Sequence, residues 1–114
     1  MTFEAFDVVV VPFPFTDRLT TRRRPALVLS DATVFNKHVG QSVLAMITSA
    51  SNSDWPLDVN IENLESAGLS HASVVRMKLF TLDNQWVIRK AGTLAAHDRT
   101  SVVATVQQLL HLKG

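Results

Sequence analysis

Short apolar runs separated by polar turns fill most of the chain. The run from Phe6 to Phe13 is β-branched and aromatic and meets the prolines Pro12 and Pro14, so it predicts a buried first strand that ends there. The stretch from Thr16 to Arg24 has no hydrophobic period and is predicted to be a polar loop. Further strands are predicted at Pro25 to Ser30, Gln41 to Ile47, Leu57 to Ile61, Ser73 to Arg76, Leu79 to Leu82 and Trp86 to Lys90. Several short strands with turn signals between them are typical of a small β-barrel.

The hydrophobic period changes near the C-terminus. From about Ala96 to Leu112 the spacing predicts a helix, whose single apolar stripe consists of Val102, Val103, Val106, Leu109 and Leu110. Before it, Asn63 to His71 is predicted to be a connecting loop, and Asp83-Asn84-Gln85 suits a hairpin turn between the last two strands. The predicted fold class is therefore mostly β with a C-terminal helix that closes a small barrel.

Length and composition limit the possible protein classes. The chain has 114 residues, so we expect residues 1–114 to form a single domain. The absence of cysteine excludes disulfides, thiol nucleophiles and cysteine-ligated zinc. Met1 to Asp7 lacks the basic start of a secretory signal, and the apolar run Val8 to Val11 is too short to span a membrane. A cytoplasmic protein without a membrane segment is expected.

The distribution of charge is more informative than its sum. The formal net charge is only +1, which does not by itself indicate a nucleic-acid partner. Arg18, Arg22, Arg23 and Arg24, however, fall between two apolar runs with only Asp17 to offset them. Arginine suits planar, two-pronged binding of phosphate, so this cluster favours an anionic ligand. The alternative is a solvated loop that is simply basic.

Three motifs follow one another in a recognisable order: V-P-F-P-F-T from Val11, R-R-P-A-L-V-L-S from Arg23, and a strand that ends in I-T-S at Ser49. This order resembles the MazF/PemK toxin family. The likeness continues through S-V-V-R from Ser73, K-L-F-T-L-D from Lys78 and H-D-R from His97, and covers nearly the whole chain. The resemblance implies an SH3-like barrel of the MazF/PemK/CcdB toxin type, sequence-specific cleavage of single-stranded RNA without a metal or other cofactor, a homodimer, and a partner antitoxin.

Site residues are carried over where the motifs match. By resemblance, Arg24 stands at the family's catalytic arginine and Thr48 at its catalytic threonine or serine. Arg76 matches a second catalytic arginine of one branch, and Asn36 matches a position that contacts substrate in relatives. In that branch a carboxylate stands two residues beyond the arginine as the base, whereas this chain has Lys78. The general base is therefore left unidentified.

The chemistry that the resemblance implies suits these residue types. RNA can be cleaved by its own 2′-hydroxyl, so the protein must mainly stabilise a doubly negative phosphorane, for which arginine is well shaped. Arg22, Arg23 and Lys78 are predicted to bind the RNA backbone. Trp55 is a candidate base-stacking platform or dimer contact.

Histidine could supply the missing base. His38 and His71 lie outside the predicted strands and either could reach a groove, whereas His97 and His111 are expected on the surface of the terminal helix. The spacing of the four matches no zinc pattern, so no metal site is predicted.

Two other functions are compatible with the predicted fold. A toxin resembling CcdB would poison DNA gyrase and cleave nothing, and a non-catalytic SH3-like binding module would use the arginines only as a phosphate-contacting patch. For the main interpretation, the partner antitoxin is expected to lay an acidic, disordered tail across Arg22, Arg23 and Arg24.

Overall fold

The computed structural model describes residues 2–13, 22–52 and 54–112. The predicted polar loop from Thr16 to Arg24 therefore lies mostly outside the described residues, with Arg18 among those outside.

One curled antiparallel sheet forms the body of the protein. Its strands are β1 (Asp7–Phe13), β2 (Arg22–Val28), β3 (Gln41–Ser49), β4 (Val59–Asn60), β5 (Ser73–Asp83) and β6 (Arg89–Thr93). They are ordered β4-β5-β3-β2-β1-β6, and every neighbouring pair is antiparallel. With the C-terminal helix, this architecture confirms the predicted mostly β fold and fits the SH3-like barrel.

Short helical segments connect the strands. A π-helical turn (Ala32–Asn36) continues into α1 (Lys37–Val39), α2 spans Leu64–Ala67, and a 3-10 turn spans Asn84–Trp86. The terminal helix α3 spans Ala96–Leu109. In the part of the chain that the structure describes, no helix combines the length and apolar character that crossing a bilayer requires.

Both faces of the sheet are buried. On one face, Val8, Leu27 and Ala45 belong to a cluster that also includes Val102 of α3. On the other face their neighbours, such as Val9 and Leu44, pack in a second cluster with Phe3. Because side chains alternate between faces, a strand buried on both sides is a continuous apolar run, which explains Val8 to Val11.

Several local predictions are wrong. The predicted strand Trp86 to Lys90 begins only at Arg89, as β6, and the predicted loop Asn63 to His71 contains the helix α2. The segment Arg22 to Arg24 belongs to strand β2 and not to a loop, because Phe13, Pro12 and Val11 pair with it across the sheet. The predicted strands Ser73 to Arg76 and Leu79 to Leu82 are one strand, β5, because a bulge shifts its register against β3 between Ala45 and Met46. The shift leaves Met77 and Lys78 outside the pairing and interrupts the alternation of the sequence.

The predicted hairpin at Asp83-Asn84-Gln85 is also wrong. The chain does turn there, but β6 pairs with β1 and not with β5. The buried Asn84 side chain holds the turn against other elements, receiving a hydrogen bond from Ser42 Oγ at 2.7 Å and donating to the Asn36 carbonyl at 3.2 Å.

The terminal helix buries only part of its apolar stripe. Val102 is fully buried and Val106 packs against the core, whereas Val103, Leu109 and Leu110 stay exposed.

Candidate active site

A cavity of about 550 Å³ opens where β2 and β3 separate. The two strands pair as far as Ala26 and Met46, and no further pair forms although β2 begins at Arg22 and β3 runs on to Ser49. Val10, Pro25 and Ile47 contribute apolar lining. A polar ligand can therefore enter between two strands whose facing edges are unpaired here.

Arg24 and Thr48 border this gap from opposite sides. The register of the paired part, Ala26 with Met46 and Leu27 with Ala45, would bring Arg24 opposite Thr48 if continued by two residues. Both residues line the cavity. The structure thus brings together the two residues that the motifs indicated most directly.

The guanidinium of Arg24 is partly enclosed. Its Cζ lies 6.0 Å from the centre of the Phe13 ring, and its Nε atom is buried without a hydrogen-bond partner among the described residues. A buried donor that is left unsatisfied costs free energy unless a ligand or water completes it. Arg24 is therefore prepared to donate to an incoming anion.

The side chain of Thr48 is held in place by the loop that follows β3. The side chain is 7% exposed, and its Oγ1 accepts a hydrogen bond of 2.6 Å from Asn52 Nδ2. That bond leaves the hydroxyl proton of Thr48 available to a phosphate oxygen.

The far wall consists of the loop after α2 and the strand β6. Gly68 ends α2 at φ +73°, and a Cβ there would lie 2.1 Å from the Ala91 carbonyl oxygen, so only glycine permits this close approach of helix to strand. The contact sets His71, in the loop, and Arg89, on β6, beside the same cavity.

The cavity lining is strongly basic. It includes Arg23, Arg24 and Arg89, and none of the described lining residues is a carboxylate. Such a concentration of one sign of charge in a concave site attracts and holds anions. Hydroxyl donors from Thr48 and Ser49 stand beside the arginines.

A second cluster gathers the other predicted residues around a carboxylate. Asp58 binds the guanidinium of Arg76, which is 8% exposed, through Nε at 3.2 Å and Nη2 at 3.0 Å. Trp55 lies over this pair, 5.5 Å from Arg76 Cζ and 5.1 Å from Lys78 Nζ. The hydrogen bond to Asp58, together with its charge and that of Asp54, raises the pKa of Arg76 despite the opposing effect of desolvation.

The cavity residue Thr48 and the cluster residue Arg76 lie on the same face of the sheet. Thr48 pairs with Val74 and Met46 pairs with Arg76, so Thr48 and Arg76 are diagonal neighbours on adjacent strands. Arg76 and Lys78, however, do not line the Arg24–Thr48 cavity.

Asn36 is buried away from both clusters. Its side chain is fully buried, donates to the carbonyls of Phe3 at 2.9 Å and Ser30 at 3.0 Å, and accepts from the Ser30 hydroxyl. These bonds tie the N-terminal segment to the turn after β2. The structure does not bring Asn36 to the Arg24–Thr48 cavity.

Residues 4–110 match the profile of the PemK-like, MazF-like toxin of type II toxin-antitoxin systems. The chain belongs to this toxin family. The match confirms the resemblance drawn from the motifs. A search of curated proteins found no significant match.

Solved MazF structures share the fold of this toxin. A MazE-MazF crystal structure from Deinococcus radiodurans (Form-III) has a TM-score of 0.79 at 24% identity, covering 99% of this chain and 100% of that one. An endoribonuclease in complex with its cognate antitoxin from a mycobacterial species has a TM-score of 0.76 at 14% identity, covering 99% and 97%. The Mycobacterium tuberculosis toxin MazF-mt6 has a TM-score of 0.75 at 19% identity, covering 95% and 99%.

One group in the described part of this toxin has the side chains and proximity of a metal site. The ligand atoms of Glu62, His97 and Asp98 lie within 4.8 Å of one another. Both Asp98 oxygens, however, already accept backbone N–H groups, from Glu62 and Asn63, each at 3.0 Å. The buried carboxylate therefore ties α3 to the segment after β4.

Sequence patterns missed two residues of this toxin's two clusters and left a third undecided. Asp58 and Arg89 belong to none of the motifs. His71 was one of two histidines outside the predicted strands that could supply the base, and the sequence did not distinguish between them. Their positions follow from strand pairing between distant segments, for which one sequence holds no local signal.

Proposed function

We propose that this toxin is an endoribonuclease that cleaves single-stranded RNA in the Arg24–Thr48 cavity by attack of the substrate's own 2′-hydroxyl, without a metal. The observation that carries the proposal is the cavity lining, which unites Arg24 and Thr48 with two more arginines and has no carboxylate among its described residues. Family membership supports it, as does the likeness to proteins described as endoribonucleases. Both favour it over a CcdB-like gyrase poison and over a non-catalytic module.

Arg24 acts on the transition state. The phosphorane carries more negative charge than the ground-state phosphate, so a partly enclosed guanidinium with a free Nε–H donor binds it more strongly. One preorganised donor of this kind is worth ~3 to 4 kcal/mol in other enzymes. Thr48 donates its hydroxyl proton to a phosphate oxygen and orients the group, while Arg22, Arg23 and Arg89 hold the flanking backbone.

Trp55 and Lys78 provide a neighbouring contact for the RNA strand. The indole is 40% exposed, and two cations flank its ring. A base can stack on this ring while Lys78 approaches its phosphate. Arg76, held by Asp58, keeps the cluster in shape.

Two protein partners complete the proposal. Trp86 (58% exposed), Val34 (74%) and Val39 (52%) give the surface large apolar side chains that a two-fold homodimer would cover. A cognate antitoxin blocks the cavity with an acidic segment that occupies the phosphate positions. Light scattering that gave the 12.6 kDa monomer at micromolar concentration would contradict the dimer.

The function is tested by cleavage of fluorescent single-stranded RNA in excess EDTA. Wild-type protein should leave a 2′,3′-cyclic phosphate and a 5′-hydroxyl, and Arg24→Ala protein serves as the matched control. Activity that required magnesium would overturn the metal-free mechanism. A wild-type protein that cleaved nothing yet stopped growth through gyrase would establish the CcdB-like function instead.

A further inference from the structure

His71 is the one side chain among the described lining of the cavity that can exchange a proton near neutral pH. The other ionisable lining residues are arginines, which stay protonated and are poor bases. Cleavage by the 2′-hydroxyl needs a group that removes its proton. The cavity therefore contains a candidate for the role that the motifs left empty.

Backbone pairing holds the segment that carries His71 beside the end of β3. Thr48 and Ser49 pair with Val74 and Ser73, and the Ala50 N–H donates to the Ala72 carbonyl at 2.9 Å. His71 is the next residue along. The Ser73 hydroxyl donates to the His71 carbonyl at 2.8 Å, which fixes the peptide that carries the imidazole.

Ser70 can select the ring tautomer. Its Oγ lies 2.9 Å from Nδ1 of His71. When Nδ1–H donates to this oxygen, the lone pair of the neutral ring is on Nε2, which is the form that a base requires. His71 is exposed as a residue, and it lines the cavity.

We propose that His71 is the general base of this toxin, with Ser70 as its positioning residue; the proposal rests on the RNA cleavage proposed above. Nε2 takes the proton of the ribose 2′-hydroxyl as the 2′-oxygen forms its bond to phosphorus. The bond from phosphorus to the 5′-oxygen breaks, and its electron pair leaves with that oxygen. The 5′-oxygen takes a proton from water, and the resulting hydroxide takes the proton held by His71. Arg24 stabilises the charge on the non-bridging oxygens throughout.

The charges that line the cavity with His71 are Arg23 and Arg24 from β2 and Arg89 from β6. All three are arginines, which keep their charge at every pH of the experiment below. The imidazole must be neutral to act as a base. The cleavage rate should therefore rise with pH and then level off once the ring is deprotonated.

The test is the single-turnover cleavage rate of RNA from pH 5.5 to 9 for wild type, His71→Ala and His71→Gln. His38→Ala is the matched control, because His38 is also an exposed histidine but lies in α1 and does not line the cavity. Both His71 variants should cleave ~10²-fold more slowly or worse, with RNA affinity nearly unchanged. Their rate should no longer show the rise at the acidic end of the pH range that wild type shows. Added imidazole should restore part of the rate of His71→Ala and none of the rate of Arg24→Ala. Ser70→Ala should shift the pH range over which the cleavage rate rises.

Each result separates the two proposals. If wild type cleaves and the folded His71 variants keep its rate and profile, or lose only affinity, His71 is not the base while the nuclease function stands. If imidazole fails to rescue His71→Ala, the base assignment is overturned in the same way. If wild type cleaves no RNA, both proposals fall. Circular dichroism verifies folding of each variant.

Discussion

The guanidinium of Arg76 donates two hydrogen bonds to the carboxylate of Asp58, which follows the loop that carries Trp55. The resemblance implied a catalytic role for Arg76. In the branch of the family that has this arginine, a carboxylate stands two residues beyond it. The chain has Lys78 there, and a carboxylate reaches the same guanidinium from another strand connection. This pairing holds Arg76 beside Trp55, so a catalytic role and a structural role for Arg76 predict different outcomes.

The first prediction follows from this pair. Arg76→Met and Asp58→Asn should each lower the midpoint of thermal unfolding, because each removes the charged hydrogen bonds that join the two side chains. The double variant should lose less than the sum of the two. Lys78→Met is the control, since Lys78 is exposed beside the same ring and should change the midpoint little. A normal midpoint with a ~10²-fold slower cleavage rate in Arg76→Met would instead assign Arg76 to the transition state.

The second prediction concerns the cavity pair. Arg24→Ala should lower the single-turnover cleavage rate ~10²-fold or more, whereas RNA affinity, shared with neighbouring arginines, should fall much less. Arg24→Lys should rescue little, because an ammonium lacks the two-pronged geometry. Lys37→Ala, which removes an exposed cation of α1 that does not line the cavity, is the matched control.

A double-mutant cycle extends this prediction. Thr48→Ala should also slow cleavage, and Arg24→Ala with Thr48→Ala should lose less than the sum if both act on one transition state. Strict additivity would indicate that the two residues work in separate steps. A wild-type rate in folded Arg24→Ala would show that the site assignment is wrong.

The third prediction uses two glycines with the same backbone conformation. Gly40 and Gly68 have φ of +72° and +73°, but a Cβ at Gly40 meets nothing within 4 Å whereas at Gly68 it meets the Ala91 carbonyl. Gly40→Ala should cost about 1 to 2 kcal/mol in the free energy of unfolding. Gly68→Ala should cost more than about 3 kcal/mol, because α2 must move away from β6. Urea denaturation measures both, and equal losses would contradict the close packing.

The fourth prediction concerns the antitoxin. Arg22 and Arg23 are exposed, so an acidic tail bound there is held largely by screened charges and should dissociate more readily at high salt. Arg22→Gln with Arg23→Gln should weaken binding and reduce its salt dependence in titration calorimetry. Lys37→Gln removes an exposed charge from α1 and should have little effect. Unchanged affinity in the arginine variant would place the inhibitor elsewhere.

The sequence by itself determined the elements whose signal is local. The β-branched run of β1, the strand β3 and the start of the terminal helix follow from side-chain periodicity, because burial on one or both faces leaves a readable pattern. Arg24 and Thr48 were indicated by motifs on adjacent strands, and both line one cavity.

The tertiary structure alone decided which segments meet. The pairing of β6 with β1 brings Arg89 to the cavity, and the pairing of β5 with β3 brings His71 there. The same long-range packing buries Asn36 as an anchor and gives Arg76 its carboxylate. A sequence shows which face of a strand is apolar but not which strand lies beside it, because pairing depends on the closure of long loops and the packing of the whole core.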